Sequence, residues 1–159
     1  MAGGLIVNRI ELAKESIKLH EGFRGVVYND RSGQPVRLDP PARLTVGYGR
    51  NLDAKPLSYA VSDLMLAEDV AEAAEGAFRV WGDPFAWADL SEERAAVLIE
   101  MVFQMGESGV RGFVKFLEHA KAGRHDEAAD EMLDSRWARD DSPARARELA
   151  RRWREDAGA

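Results

Sequence analysis

The sequence predicts an α+β fold that is mainly α: a small antiparallel sheet lobe and a helical C-terminal lobe, joined by one long helix. Three observations predict it. Apolar residues recur at helical spacing through most of the 159 residues. One stretch, Val26 to Gly49, has instead the texture of strands and turns: Val-Val-Tyr, then Gly33, three prolines and Leu-Thr-Val-Gly-Tyr-Gly. Ser58 can cap a helix running to about Val80, which at ~1.5 Å per residue would span about 35 Å, enough to bridge two lobes with a cleft beside it. The division expected is one domain over 1–159, with a β lobe at 22–57, a connecting helix at 58–81 and a helical lobe at 82–159, on which helix 8–21 packs.

Taken in order, Asn8 can cap the first helix with Glu11 three positions on, a capping box, and Ile10, Ala13 and Ile17 then share one face. Gly22 should end it. The long helix should bury Val61, Leu64, Met65, Val70 and Phe78, and Gly82-Asp83-Pro84 should stop it. Ser91 caps a strongly apolar helix through Met105, whose run Val97-Leu98-Ile99 with Met101-Val102-Phe103 is hydrophobic all round and reads as a central core helix. A shorter helix is expected around Phe113 to Ala120, another from Asp126 to Trp137, and a last one opened by Ser142-Pro143.

Composition narrows the function classes. With 45% apolar residues and no cysteine, the chain can bury a core without disulfides, and a thiolate zinc site and thiol redox chemistry are both excluded. His20, His119 and His125 are not at metal-ligand spacing, so neither a metal nor a cofactor is expected. The net charge of -6 and pI near 5.2 argue against a nucleic-acid partner. No stretch approaches the roughly 18 consecutive apolar residues of a membrane span, and Met1 to Ile10 lack the charged leader and cleavage site of a signal peptide. Cytoplasmic synthesis without a signal peptide, and action as a monomer, are expected. The arginine-rich tail, from Arg136 to Arg154, is either a solvated helix face with i,i+4 pairs or a face turned to substrate.

The chemistry lies near the front. Glu21 is followed nine positions later by Asp30, and then by Thr45 inside Leu44-Thr45-Val46-Gly47-Tyr48-Gly49. A carboxylic acid, a second carboxylate and a hydroxyl are the parts needed to hydrolyse a glycosidic bond. Glu21 falls at the C-terminal end of the first helix, where the negative end of the dipole and partial burial would both favour its protonated form, as a general acid requires. Asp30 has a duller reading as the cap of the Arg31-Ser32-Gly33 turn. Gly47-Tyr48-Gly49 is turn geometry; it lacks the third glycine and following helix of a dinucleotide site. Trp81, Trp87, Trp137 and Trp153 read first as core, with Trp137 beside Arg136 a candidate for the cleft.

The same residues carry a resemblance. His20-Glu21-Gly22-Phe23-Arg24, Tyr28-Asn29-Asp30 and Thr45-Val46-Gly47-Tyr48-Gly49 resemble the active-site region of the phage-type lysozymes, the family of the T-even phage endolysin. Met101 to Val110 resembles that family's central helix and the turn after it, and Asp126 to Arg147 resembles its C-terminal helices. Three separated matches in the right order are more specific than one short motif.

The resemblance implies a two-lobed lysozyme that cleaves the β-1,4 bond between N-acetylmuramic acid and N-acetylglucosamine in peptidoglycan. Its partner is then the glycan strand. In the family the reaction inverts: Glu21 would be the acid, Asp30 the second carboxylate, and Thr45 would help hold the attacking water. That geometry needs carboxyls roughly 6.5 to 9.5 Å apart. Arg145 matches an arginine near the acid and would orient its carboxyl. Gln104 and Arg136 match residues that hold the glycan or its stem peptide, with Phe103 and Trp137 beside them. Arg50 and Asp69 match a structural ion pair. A phage-encoded enzyme of this kind also needs a holin-type pore to reach the wall.

One departure matters. The family's aspartate and threonine lie close in sequence, whereas here Arg31 to Leu44 separates them. Asp39 satisfies the family spacing from the threonine side and Asp30 from the glutamate side. Asp30 is favoured because no insertion separates it from Glu21, while Asp39 precedes two prolines that force an extended loop. The insertion is expected to lengthen the hairpin tip. Two other readings stay open: a peptidoglycan-binding module with little or no catalysis, and a lytic transglycosylase, which needs only the acid.

Overall fold

The computed structural model describes residues 2–29, 31–37 and 43–157, with side chains from Asn8 onward. It is mainly helical with one small antiparallel sheet, as the sequence predicts. The elements are α1 (Ala2–Glu21), β1 (Thr45–Val46), β2 (Arg50–Asn51), α2 (Tyr59–Trp81), α3 (Pro84–Asp89), α4 (Glu92–Arg111), α5 (Val114–Lys121), α6 (His125–Leu133) and α7 (Pro143–Glu155), with a π-helical turn at Trp137–Asp141 before the last. The chain forms two compact units, Glu21–Ala67 on one side and Met1–His20 with Glu68–Ala159 on the other.

In the larger unit the core is built on α4. Ala95 to Ile99 and Met101 are fully buried, and Phe116 of α5, Met132 of α6 and Leu149 and Trp153 of α7 are buried with them. Ser91 caps α4 by accepting the Arg94 N–H, satisfying one of the orphan donors of a helix start. The helix is broken at Gly106, where φ 74° and ψ 165° are open to glycine alone. That break falls where the sequence placed its end.

α1 begins at Ala2, so Asn8 is an exposed interior residue and not a cap. Ala13 and Ile17 are buried as expected. Arg9 joins them, 3% exposed, because its guanidinium donates to the carbonyls of Trp87 (3.0 Å) and Leu90 (3.1 Å) and pairs with Glu92 (2.9 Å). A charge can be buried there because every face of it has an acceptor.

α2 starts after Ser58, whose hydroxyl accepts the Val61 N–H. Its buried face differs from the predicted one. Val61, Leu64, Met65 and Phe78 are exposed, and the residues inside are Val70, Ala73, Gly76, Ala77, Val80 and Trp81. Small residues permit close approach: a Cβ on Gly76 would stand 2.9 Å from Val102 Cγ1. Gly82 ends α2 at φ 81°, but the chain re-enters a helix at once, because Asp83 accepts the N–H groups of Phe85 and Ala86 and Pro84 suits the first helical position. This short α3 was not predicted.

The arginines of the tail are largely neutralised by partners. Arg151 pairs with Glu148 and Glu155, Arg152 with Glu93 and Glu100, and Arg154 with Asp126 and Asp130. Of these, Arg151 pairs along its own helix as the helix-face reading expects, whereas Arg152 and Arg154 pair across to α4 and α6.

Candidate active site

Glu21 is the last residue of α1 and is exposed. Gly22 follows at φ 67°, a left-handed conformation that ends the helix and turns the chain away.

The Glu21–Ala67 unit then builds two hairpins. In the first, Val36 N–H donates to Val27 O (2.9 Å), Asn29 N–H to Gln34 O (2.8 Å) and Gly33 N–H to Asn29 O (2.7 Å), with Tyr28 and Pro35 bridged. Among the described residues, the strand predicted there is reduced to this bridge. Arg24 braces it, donating to Gly33 O (2.8 Å) while its guanidinium lies 4.6 Å from the centroid of the Tyr28 ring. At the turn, Asn29 Oδ1 accepts the N–H groups of Arg31 and Ser32. Asn29 therefore caps this turn. Asp30 and Asp39 both lie outside the described residues.

The second hairpin carries Thr45. β1 and β2 pair antiparallel, Thr45 opposite Asn51 and Val46 opposite Arg50, around the turn Gly47-Tyr48-Gly49. The turn reading holds: Gly47 and Gly49 have φ of 55° and 82°. Asp53 accepts the Leu44 N–H (3.0 Å) and Leu44 O accepts the Leu52 N–H (2.7 Å), fixing the entry to β1. The Thr45 side is exposed. Arg50 donates to the carbonyls of Lys55 (3.0 Å) and Pro56 (2.6 Å), within its own unit. The planar fork of the guanidinium finds two backbone acceptors on the adjacent turn.

Gln104, Arg136, Phe103, Trp137 and Arg145 all lie in the larger unit. Gln104 accepts from the Trp137 indole Nε1–H (3.0 Å) and donates to Ser142 Oγ, so it ties α4 to the π-helical turn and the start of α7. Trp137 is buried, edge-on to Phe113 at 6.2 Å. Its packing is that of a core residue that also walls a groove of about 750 Å³, which it shares with Arg136, Phe113, Lys115 and Glu131. Arg136 is exposed and pairs with Asp141 (3.7 Å). Phe103 lines a different groove, of about 430 Å³, with Asp69, Glu72, Arg79 and Glu107. Arg145 is buried in the first turn of α7. Trp81, Trp87 and Trp153 are core.

Sequence reasoning passed over one residue. Glu100 stands alone among apolar neighbours from Ala95 to Phe103, and it is 1% exposed. Burial, foremost, pushes its pKa up, against the pull of Arg152. The signal was present as a single charge in a run otherwise assigned to the core. Among the described residues no group of histidines and carboxylates could hold a metal ion, and no helix is long and apolar enough to cross a membrane.

The sequence model of the phage lysozyme family matches residues 18–156, from the last turn of α1 through both hairpins and α2 to the end of α7. The chain belongs to the phage lysozyme family, whose members are glycosidase-type enzymes that act on peptidoglycan.

Proposed function

We propose that this protein hydrolyses the β-1,4 bond between N-acetylmuramic acid and N-acetylglucosamine by a single inverting displacement. Glu21 gives its proton to the leaving glycosidic oxygen. Asp30 and Thr45 hold and activate the water that attacks the opposite face of the sugar, with carboxyls roughly 6.5 to 9.5 Å apart. Gln104 and Arg136, with Phe103 and Trp137 near them, contact the glycan or its stem peptide on the helical unit.

The observation that carries the reading is local. Glu21 and Thr45 are both exposed in the same compact unit, one at a helix end and the other on a two-residue strand pinned by Asp53 and Asn51. Asp30 lies in sequence between Asn29 and Arg31, with no insertion between it and Glu21.

The test is the chemistry of the new chain ends. Products from purified peptidoglycan should carry hydrated reducing ends, formed with inversion. Asp30→Asn should lower kcat by at least about a hundredfold, as loss of a general base does. Asp39→Asn should leave kcat near wild type. Anhydro ends would instead assign a lytic transglycosylase, and binding without release a recognition module.

A further inference from the structure

Beneath the end of α1 lies a buried charged cluster that the reaction scheme does not use. Glu100 of α4 accepts from Arg152 Nη1 of α7 through Oε1. Arg152 also donates through Nε to Glu93 and through Nη1 to Ser16 Oγ (2.7 Å). The second carboxylate oxygen, Glu100 Oε2, is buried 3.6 Å from His20 Nδ1, which is buried too, and neither atom has a hydrogen-bond partner among the described residues. Ser16 and His20 are i,i+4 on α1, one above the other on the same helix face. Ser16 and His20 thus meet Arg152 and Glu100 from the last two turns of α1, and Ile17 between them is buried.

Stability alone does not account for this arrangement. A buried ion pair is often no better than well-packed apolar residues of similar volume, whereas removing one partner strands the other. Such groups do fix geometry. The last turn of a helix is where its carbonyls lose their partners and where it frays, and Glu21 is the final residue of that turn.

We propose that Glu100 is a positioning residue for the reaction: with Arg152 it anchors the last two turns of α1 through Ser16 and His20, and so sets the direction in which Glu21 leaves the helix. This rests on Glu21 being the acid. A displacement of about 1 Å in a reacting group can lower a rate by up to about a hundredfold without affecting remote binding contacts.

The test compares wild type, Glu100→Gln, Ser16→Ala and Glu21→Gln on soluble muropeptide oligomers, with folding checked by circular dichroism and thermal unfolding. Folded Glu100→Gln should lose about tenfold in kcat with KM within about twofold, since only the transition-state alignment suffers. Ser16→Ala removes one anchor without stranding a charge in an unfoldable core, and should lose severalfold in kcat, again with KM unchanged. Wild-type kcat in both folded variants, or a loss confined to KM, overturns the proposal. If Glu21→Gln itself retains hydrolysis, the reading beneath has failed and the anchor has nothing to position.

Discussion

His125 shows how one side chain can set a pH dependence. It opens α6, lies edge-on to Trp153 at 6.2 Å, and its Nδ1 is buried without a hydrogen-bond partner among the described residues. Burial first, and the charge of Arg94 next, push its pKa below the usual 6.5. The folded state therefore binds this proton less readily than the unfolded chain. Its contribution to stability is present above 6.5 and is lost as pH falls through the lower folded value. Denaturant unfolding of wild type between neutral pH and about pH 5.5 should show stability declining, and His125→Gln should decline less over the same interval. Parallel declines would show that His125 does not carry the effect. Exposed carboxylates run the same way: Arg111 and Arg79 hold Glu107 below its ordinary range, so its pairing fades in acid.

Two glycines separate the constraints that act on elements. Gly106 has open space around its missing Cβ but a backbone conformation reserved for glycine, so Gly106→Ala should destabilise by about 1–3 kcal/mol through strain alone. Gly76 is helical and would instead collide with Val102 Cγ1. Overpacking costs about 1–3 kcal/mol, against about 1 kcal/mol gained in helix propensity, so Gly76→Ala should be destabilising in wild type. In a Val102→Ala background its sign should reverse. A double-mutant cycle by thermal unfolding checks this; an unchanged cost would mean that the contact is not the cause.

Much of the element order was legible because helix ends carry chemical marks. Ser58, Ser91, Gly22 and Gly82 stand where the sequence places them. The failures have physical reasons. Asp83-Pro84 marks both a stop and a start, and α3 is too short for periodicity to reveal. The buried face of α2 was misread because large apolar side chains were expected inside, while this helix packs by small residues that weigh little in a hydrophobic pattern. In the candidate site, Glu21 and Thr45 were readable as motif residues. Glu100 was not, since nothing local says that a buried carboxylate will meet an arginine more than 50 positions later.

At the scale of the molecule, charge is the property that the family resemblance does not anticipate. The net charge is -6, and the tail arginines are spent on internal partners. Approach to an anionic wall should be hindered at long range. Turnover on intact walls should rise as ionic strength increases from about 0.01 M to about 0.1 M, where the Debye length contracts from about 30 Å to about 10 Å. A falling rate would point to a local basic face that governs encounter.

The central claim is that Glu21 is the acid of a muramidase. It is tested most directly by mass spectrometry of fragments released from purified peptidoglycan by wild type and by Glu21→Gln, at matched folded concentration. Release of hydrated muropeptides by the wild type, with none from the variant, is the predicted result. The same fragments at a comparable rate from folded Glu21→Gln would contradict it.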